Sequence, residues 1–170
     1  FLGLAGVLSN EDRNNIKNII DNNNCFDVDN IGVDHDIRIS LSGGLAGKEG
    51  IALIVGTGSS CYGRTKDGKE WMSGGWGYLL DDKGSAYDLA CSGLSAVVRA
   101  ADGRGPETVL TQKFLKKLGI NEANKIISRI YVEGPSGKPM DKKEIASLAD
   151  LVTDAARKGD KVATQIVRDG

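Results

Sequence analysis

Residues 50–88 read GIALIVGTGSSCYGRTKDGKEWMSGGWGYLLDDKGSAYD, and the order of elements in this stretch decides the fold class. The apolar run Ile51–Val55 predicts a buried strand. Gly56-Thr57-Gly58-Ser59 then turns the chain sharply. Ser60–Thr65 predicts a second strand, and Lys66-Asp67-Gly68-Lys69 a tight hairpin turn. Gly74-Gly75-Trp76-Gly77 reads as a loop holding one large aromatic, and a helix is expected to begin near Gly84-Ser85. A glycine-rich turn with amides and hydroxyls to offer thus stands next to an aromatic and a carboxylate. Glycine lets the backbone approach a ligand closely, and successive N–H groups make an anion nest. An aromatic face packs on the apolar side of a sugar ring, and a carboxylate accepts hydrogen bonds from its hydroxyls. The combination suits a phosphate on one side and a sugar on the other.

Upstream, Phe1–Val7 predicts a strand entering the turn Gly3-Leu4-Ala5-Gly6. Ser9 or Asn10 can cap a helix to about Asn22, with Glu11 and Asp12 in its first turn and an apolar stripe of Ile16, Ile19 and Ile20. Asn22-Asn23-Asn24 breaks it. A short strand is expected at Ile31–Asp34, ending at His35-Asp36, and a helix at Ile37–Leu45. Strand, polar terminus, then helix is how α/β folds present reactive groups at strand ends. Downstream the chain turns helical: to about Ala101, then Thr108–Leu118 and Asn121–Ile130. Asp141 is expected to cap a single helix with Ile145, Leu148, Ala149, Val152 and Ala156 on one face. Gly159 ends that helix, and Asp160 can cap the last.

The 170 residues suffice for one domain or parts of two, and a 40% hydrophobic fraction allows a real core. The net charge of −1 offers no basic surface for nucleic acid or membrane. The apolar stretch Phe1–Leu8 is too short for a membrane span and lacks the basic region of a signal peptide. Cys25, Cys61 and Cys91 show no CxxC spacing, and one histidine offers little for a metal site. Free thiols in a reducing cytoplasm are the plain reading. No Walker-type loop competes with the GTGS turn, because Gly47-Lys48 lacks the upstream glycine and is followed by Glu49. No GxGxxG pattern fits a dinucleotide fold.

Read by their chemistry alone, the candidate residues keep two roles each. Asp36 is a helix cap or a general base. Trp76 is core packing or a sugar platform. Asp82 is a cap for the helix near Gly84 or a partner for sugar hydroxyls. Trp71 reads as packing on the hairpin, Cys61 as a structural thiol, and the C-terminal lysines and arginines as solvated helix faces.

Taken together and in order, the motifs resemble the sugar-kinase branch of the BadF/BadG-type ATPase family, which belongs to the actin-like ATPases. That family's second phosphate motif is a strand followed by GTGS, matched by Gly56-Thr57-Gly58-Ser59. Its sugar motif is GGWG, hydrophobic residues, then GDEGSAY, matched by Gly74–Gly77 and Asp82-Lys83-Gly84-Ser85-Ala86-Tyr87. Val98–Gly105 is similar as well. The resemblance covers most of the chain and is sharpest from Gly50 to Pro106. It implies an α/β, actin-like (ribonuclease H-like) ATPase fold, present in part and spanning the junction of two domains. Residues 1–49 would close the N-terminal domain and residues 50–170 open the C-terminal one. The family's first phosphate motif has no counterpart here, and its adenosine-contacting segment lies further C-terminal. The expectation is therefore the middle of a longer kinase, catalytically very poor on its own.

The activity this resemblance implies is phosphoryl transfer from ATP, with Mg2+, to an amino sugar in the cytoplasm, most simply to the 6-hydroxyl of N-acetylglucosamine. Asp36 would be the general base, a role that contributes roughly 10²–10⁴-fold. Thr57, Gly58 and Ser59 would bind phosphate. Gly75, Trp76, Gly77, Asp82 and Ala86, with Asp36, Thr57 and Gly58, would line the sugar site; no metal ligand is assigned. A homodimer is compatible with the resemblance. The chain departs from the family at His35-Asp36-Ile37, where Asn-Asp-Ala is usual, and at Asp81-Asp82-Lys83, where Gly-Asp-Glu is usual. The second departure puts substrate identity, and activity itself, in question. Two alternatives follow: a sugar-binding or sensing module that has lost catalysis, and an ATPase that activates a radical dehydratase, which would need cysteines spaced for an iron–sulfur cluster.

Overall fold

The computed structural model describes residues 1–23 and 30–170; Asn24 of the expected helix break and Cys25 lie outside the described residues. The chain forms two compact units. The first comprises Phe1–Ile54 and Ser60–Gly74, the second Val55–Ser59 and Gly75–Gly170.

In the first unit, β1 (Leu2–Leu4) pairs in parallel with β2 (Val33–His35), in the register Leu2↔Val33, Gly3↔Asp34, Leu4↔His35. A parallel pair needs a crossover, and α1 (Asn10–Asn22) supplies the helix for it. Ser9 caps α1: its side chain accepts from the Asp12 N–H, and the Asp12 carboxylate accepts from the Ser9 N–H in return. The expected isoleucine stripe is not sealed, since no residue of α1 is fully buried and Ile19 is exposed. After β2 comes α2 (Asp36–Gly44), which buries Ile37 and Leu41.

The hairpin region forms a three-stranded sheet in the order β3 (Gly50–Val55), β4 (Ser59–Arg64), β5 (Glu70–Gly74). β4 and β5 are antiparallel, with Tyr62 opposite Met72. The turn between them closes where the Gly68 N–H donates to Thr65 O and the Thr65 N–H to Lys69 O. The expectation of a fully buried β3 is corrected. Its side chains alternate: Ala52 and Ile54 pack toward Ile37, Leu41 and Tyr62, whereas Ile51, Leu53 and Val55 are exposed. A period of two sends successive residues to opposite faces, and in this chain one face alone finds a partner. Trp71 also departs from the expected packing role and is 79% exposed.

The second unit is helical. α3 (Ala86–Ala101) lies against α4 (Leu110–Leu118), α6 (Lys142–Ala146), α7 (Ala149–Arg157) and α8 (Lys161–Asp169). Its core gathers Val97, Leu110, Phe114, Leu118, Leu148, Val152, Ala155 and Ala163, each almost sealed from solvent. Gly93 permits the tightest approach, since a Cβ there would meet Val152 and Phe114 at 2.7 and 2.9 Å. The expected helix at Asn121–Ile130 starts instead as a 3-10 turn (Ala123–Lys125) and continues as α5 (Ile126–Tyr131). The single helix expected from Asp141 is two. Leu148 lies between α6 and α7 yet is buried, so the apolar face stays inward across the break. Asp160 caps α8 by accepting from the Ala163 N–H, as expected.

Candidate active site

The turn after β3 is built around a buried carboxylate. Asp82 is 3% exposed. Its Oδ1 accepts the Ser59 N–H at 3.0 Å, and its Oδ2 accepts from Lys142 Nζ at 2.8 Å. Its backbone sits at φ 64°, a left-handed conformation that aspartate tolerates better than most residues. Burial alone pushes the Asp82 carboxyl up. The bonds from Lys142 and from the Ser59 N–H outweigh it and hold the group below its ordinary value. Gly58 lies directly against this carboxylate: a Cβ there would come within 2.8 Å of Oδ2, so no larger residue fits unless the carboxylate gives way.

The remaining bonds hold the turn from both sides. The Ala86 N–H, at the start of α3, donates to Gly56 O at 2.8 Å, and the Gly75 N–H donates to Ser59 O at 3.1 Å. Ser59 Oγ donates to Lys83 O. Among the described residues, the Thr57 and Gly58 N–H groups have no hydrogen-bond partner, and Thr57 is exposed. The turn thus keeps two unpaired amide donors at its tip above a fixed base, an arrangement able to receive an anion.

Five of the sequence-derived residues, Gly58, Ser59, Gly75, Asp82 and Ala86, are thus tied directly or through one bond to this turn, whose tip is Thr57. Trp76 and Gly77 lie in the following loop. Trp76 is 74% exposed and does not pack into a core; its backbone N–H donates to Asp81 Oδ2 at 3.4 Å. The cap reading of Asp82 is corrected, because Ser85 caps α3 by accepting from the Asp88 N–H. Lys83, whose charge differs from the family pattern, pairs with Asp88 at 2.9 Å and leaves most of its side chain in solvent.

Asp36 belongs to the first unit. The cap reading is corrected here too: His35 occupies the cap position and Asp36 is the first residue of α2. Asp36 Oδ1 accepts the Ile37 N–H at 2.8 Å and lies 2.7 Å from His35 Nδ1, with the side chain 38% exposed. The strand end carrying it is anchored by Asp34, which sequence reasoning did not single out. Asp34 Oδ1 accepts from Arg13 of α1 and from the His35 N–H, each at 2.8 Å; Arg38 of α2 bonds Oδ2 and reaches Glu70 of β5 at 2.6 Å. Burial raises the Asp34 carboxyl, but the Arg13, His35 N–H and Arg38 bonds overcome it and bring it down to about 2.

Lys142, which the sequence reads as part of a solvated helix face, also joins this site. No local pattern announces it, since its partner lies 60 residues earlier. Asp34 left a faint trace: an ionisable residue inside a strand, four positions before an arginine.

With this geometry in view, comparison with known proteins places the chain. Residues 1–169 match the BadF/BadG/BcrA/BcrD ATPase family. The chain belongs to this family. It is 38% identical over 168 residues to an N-acetylmuramic acid/N-acetylglucosamine kinase of Clostridium acetobutylicum, covering 99% of this chain and 53% of that protein. It is 33% identical over 169 residues to an N-acetyl-D-glucosamine kinase of Dictyostelium discoideum, covering 99% and 51%. Among solved structures, it is similar to a candidate N-acetylglucosamine kinase from Chromobacterium violaceum, with TM-score 0.68 and 29% identity over 81% of this chain and 45% of that one. A counterpart from Porphyromonas gingivalis, at 24% identity and TM-score 0.60, covers 80% and 44% and shares the fold. This member of the BadF/BadG/BcrA/BcrD family is therefore a part of an actin-like α/β ATPase fold, and it spans about half the length of the curated relatives it matches.

Among the described residues, no group of three or more His, Cys, Asp or Glu is disposed to hold a metal ion. No helix of the described residues is long and apolar enough to cross a membrane. Cys61 and Cys91 are free thiols.

Proposed function

We propose that the full-length protein carrying this chain is an ATP-dependent kinase of N-acetylated amino sugars, with N-acetylglucosamine phosphorylated at its 6-hydroxyl. The observation that carries this reading is the GTGS turn: two unpartnered amides at its tip, its base pinned to Asp82, and Gly75-Trp76-Gly77 in the same compact unit. The family membership and the names of the relatives support it.

In this reading Thr57, Gly58 and Ser59 hold the transferring phosphate. Trp76 presents its exposed face to the sugar ring, and Gly75, Gly77, Asp82 and Ala86 shape the sugar side. Asp36 accepts the proton of the attacking hydroxyl as the new O–P bond forms and the bond from the γ-phosphorus to the β,γ-bridging oxygen breaks, releasing ADP. Phosphoryl transfer is mostly positioning and charge stabilisation, so a fixed amide turn is a large part of what the protein contributes. ATP is taken with Mg2+ as a cosubstrate complex. The domain join at residues 49–50, a cytoplasmic location and a homodimer belong to the same proposal.

The test is ADP release by the full-length protein with ATP, Mg2+ and a panel of hexosamines. N-Acetylglucosamine turnover that falls roughly 10²–10⁴-fold in Asp36→Asn supports both the kinase and its base. Sugar binding without turnover on any member of the panel moves the protein to a binding module. Stoichiometric iron and sulfide in the purified protein would favour a dehydratase activator.

A further inference from the structure

Lys142 is placed where helix electrostatics do not want it. It is the first residue of α6, directly after the Asp141 cap, and a cation in the first turn of a helix opposes the macrodipole. It is held there by tertiary partners. Its ammonium donates to Asp82 Oδ2 at 2.8 Å and stands 5.2 Å from the centre of the Tyr78 ring, with the side chain 32% exposed. Asp82 in turn touches Gly58 and fixes the Ser59 N–H. A lone carboxylate in that position would lie directly under a turn meant to receive phosphate, and a buried like charge at such range strongly opposes an anion.

We propose that Lys142 is a positioning residue for the phosphate turn. It cancels the charge of Asp82 and keeps that carboxylate against the Ser59 N–H, so that Thr57–Ser59 accept the phosphates of a nucleotide without repulsion. The inference rests on the phosphate role of the turn, and it adds a residue from a helix 60 positions away to the machinery.

A charge-neutralisation cycle in the full-length protein tests it, reading the affinity for a non-hydrolysable ATP analogue. Lys142→Met leaves Asp82 uncompensated and is expected to weaken binding by about tenfold or more. Lys142→Arg keeps the cation and is expected to bind like the wild type. Asp82→Asn in the Lys142→Met background removes both charges while its amide oxygen still accepts the Ser59 N–H. That double variant is expected to recover to within about threefold of the wild type. A merely structural role for the pair would instead lower the melting temperature of Lys142→Met and leave the analogue affinity of its folded protein unchanged, so thermal stability is read on the same variants.

Wild-type affinity in Lys142→Met, or a double variant as weak as Lys142→Met, overturns the proposal. If Lys142→Met does not fold, the double variant decides alone: near-wild-type affinity supports the proposal and a loss of about tenfold overturns it. Sugar phosphorylation by the wild type is measured alongside. Its absence, with the affinity pattern intact, sinks the kinase reading and leaves the role of Lys142 standing.

Discussion

Asp34 in the first unit and Asp82 in the second are both nearly sealed from solvent, at 6% and 3% exposure, yet their surroundings differ. Around Asp34 the hydrophobic core is thin: Ile37, Leu41 and Tyr62 form its buried cluster, and a chain of ions from Arg13 through Asp34 and Arg38 to Glu70 joins α1, β2, α2 and β5. Around Asp82 one lysine suffices, because a helical core of Phe114, Leu118, Val152 and their neighbours already fixes the elements. The two regions show two ways to hold a segment that carries candidate site residues. One builds it from charges drawn from four short elements. The other hangs it on an apolar core and uses charge only for the last adjustment.

The sharpest way to break this contrast is to remove the core. Phe114→Ala empties a fully buried site and is expected to cost about 3–5 kcal/mol. Hydrogen exchange in the full-length protein should show the loss spread over α3, α4 and α7 together, since they share that core. A loss confined to α4 would mean that the second unit is less cooperative than its packing implies.

Acid should discriminate between the units as well. The folded Asp34 carboxyl lies at about 2, below its ordinary value of 3.8, so folding favours its ionised form. That contribution, about 2 kcal/mol, is complete above pH 4 or so and disappears as pH falls through the interval down to about 2. Asp34→Asn should therefore lower stability at neutral pH and flatten the acid limb of the stability curve. An unchanged limb in chemical denaturation followed from pH 6 to pH 2 would show that the ion chain adds nothing. The smallest expected effect is at the edge of the first unit. Ser9→Ala removes the α1 cap and should cost about 1 kcal/mol, read as faster amide exchange in the first turn of that helix with the second unit unaffected.

The candidate site was legible where its signals are local. Gly58 and the turn around it, the cap at Ser9, the strand end before Asp36 and the start of α3 all declare themselves within a few residues. Turns and caps are satisfied by their own neighbourhood. The boundaries that failed depended on distant packing. β3 reads as buried because five apolar residues follow one another, but only the side facing Ile37 and Leu41 is covered. The break at Ser147-Leu148 has no glycine or proline to mark it, and Leu148 there belongs to the shared core.

The amino-acid order by itself determined the α/β class, the family, the GTGS turn and most helix starts, the family through the resemblance of its ordered motifs and the rest through short-range periodicity, turn chemistry and capping. Only the tertiary structure decided that His35 rather than Asp36 caps α2, that Asp34 joins two arginines, and that Asp82 is neutralised by Lys142 beneath Gly58. Those are pairings between groups 4 to 60 residues apart, or competitions between adjacent side chains for one N–H, and folding settles them by requiring every buried charge to find a partner.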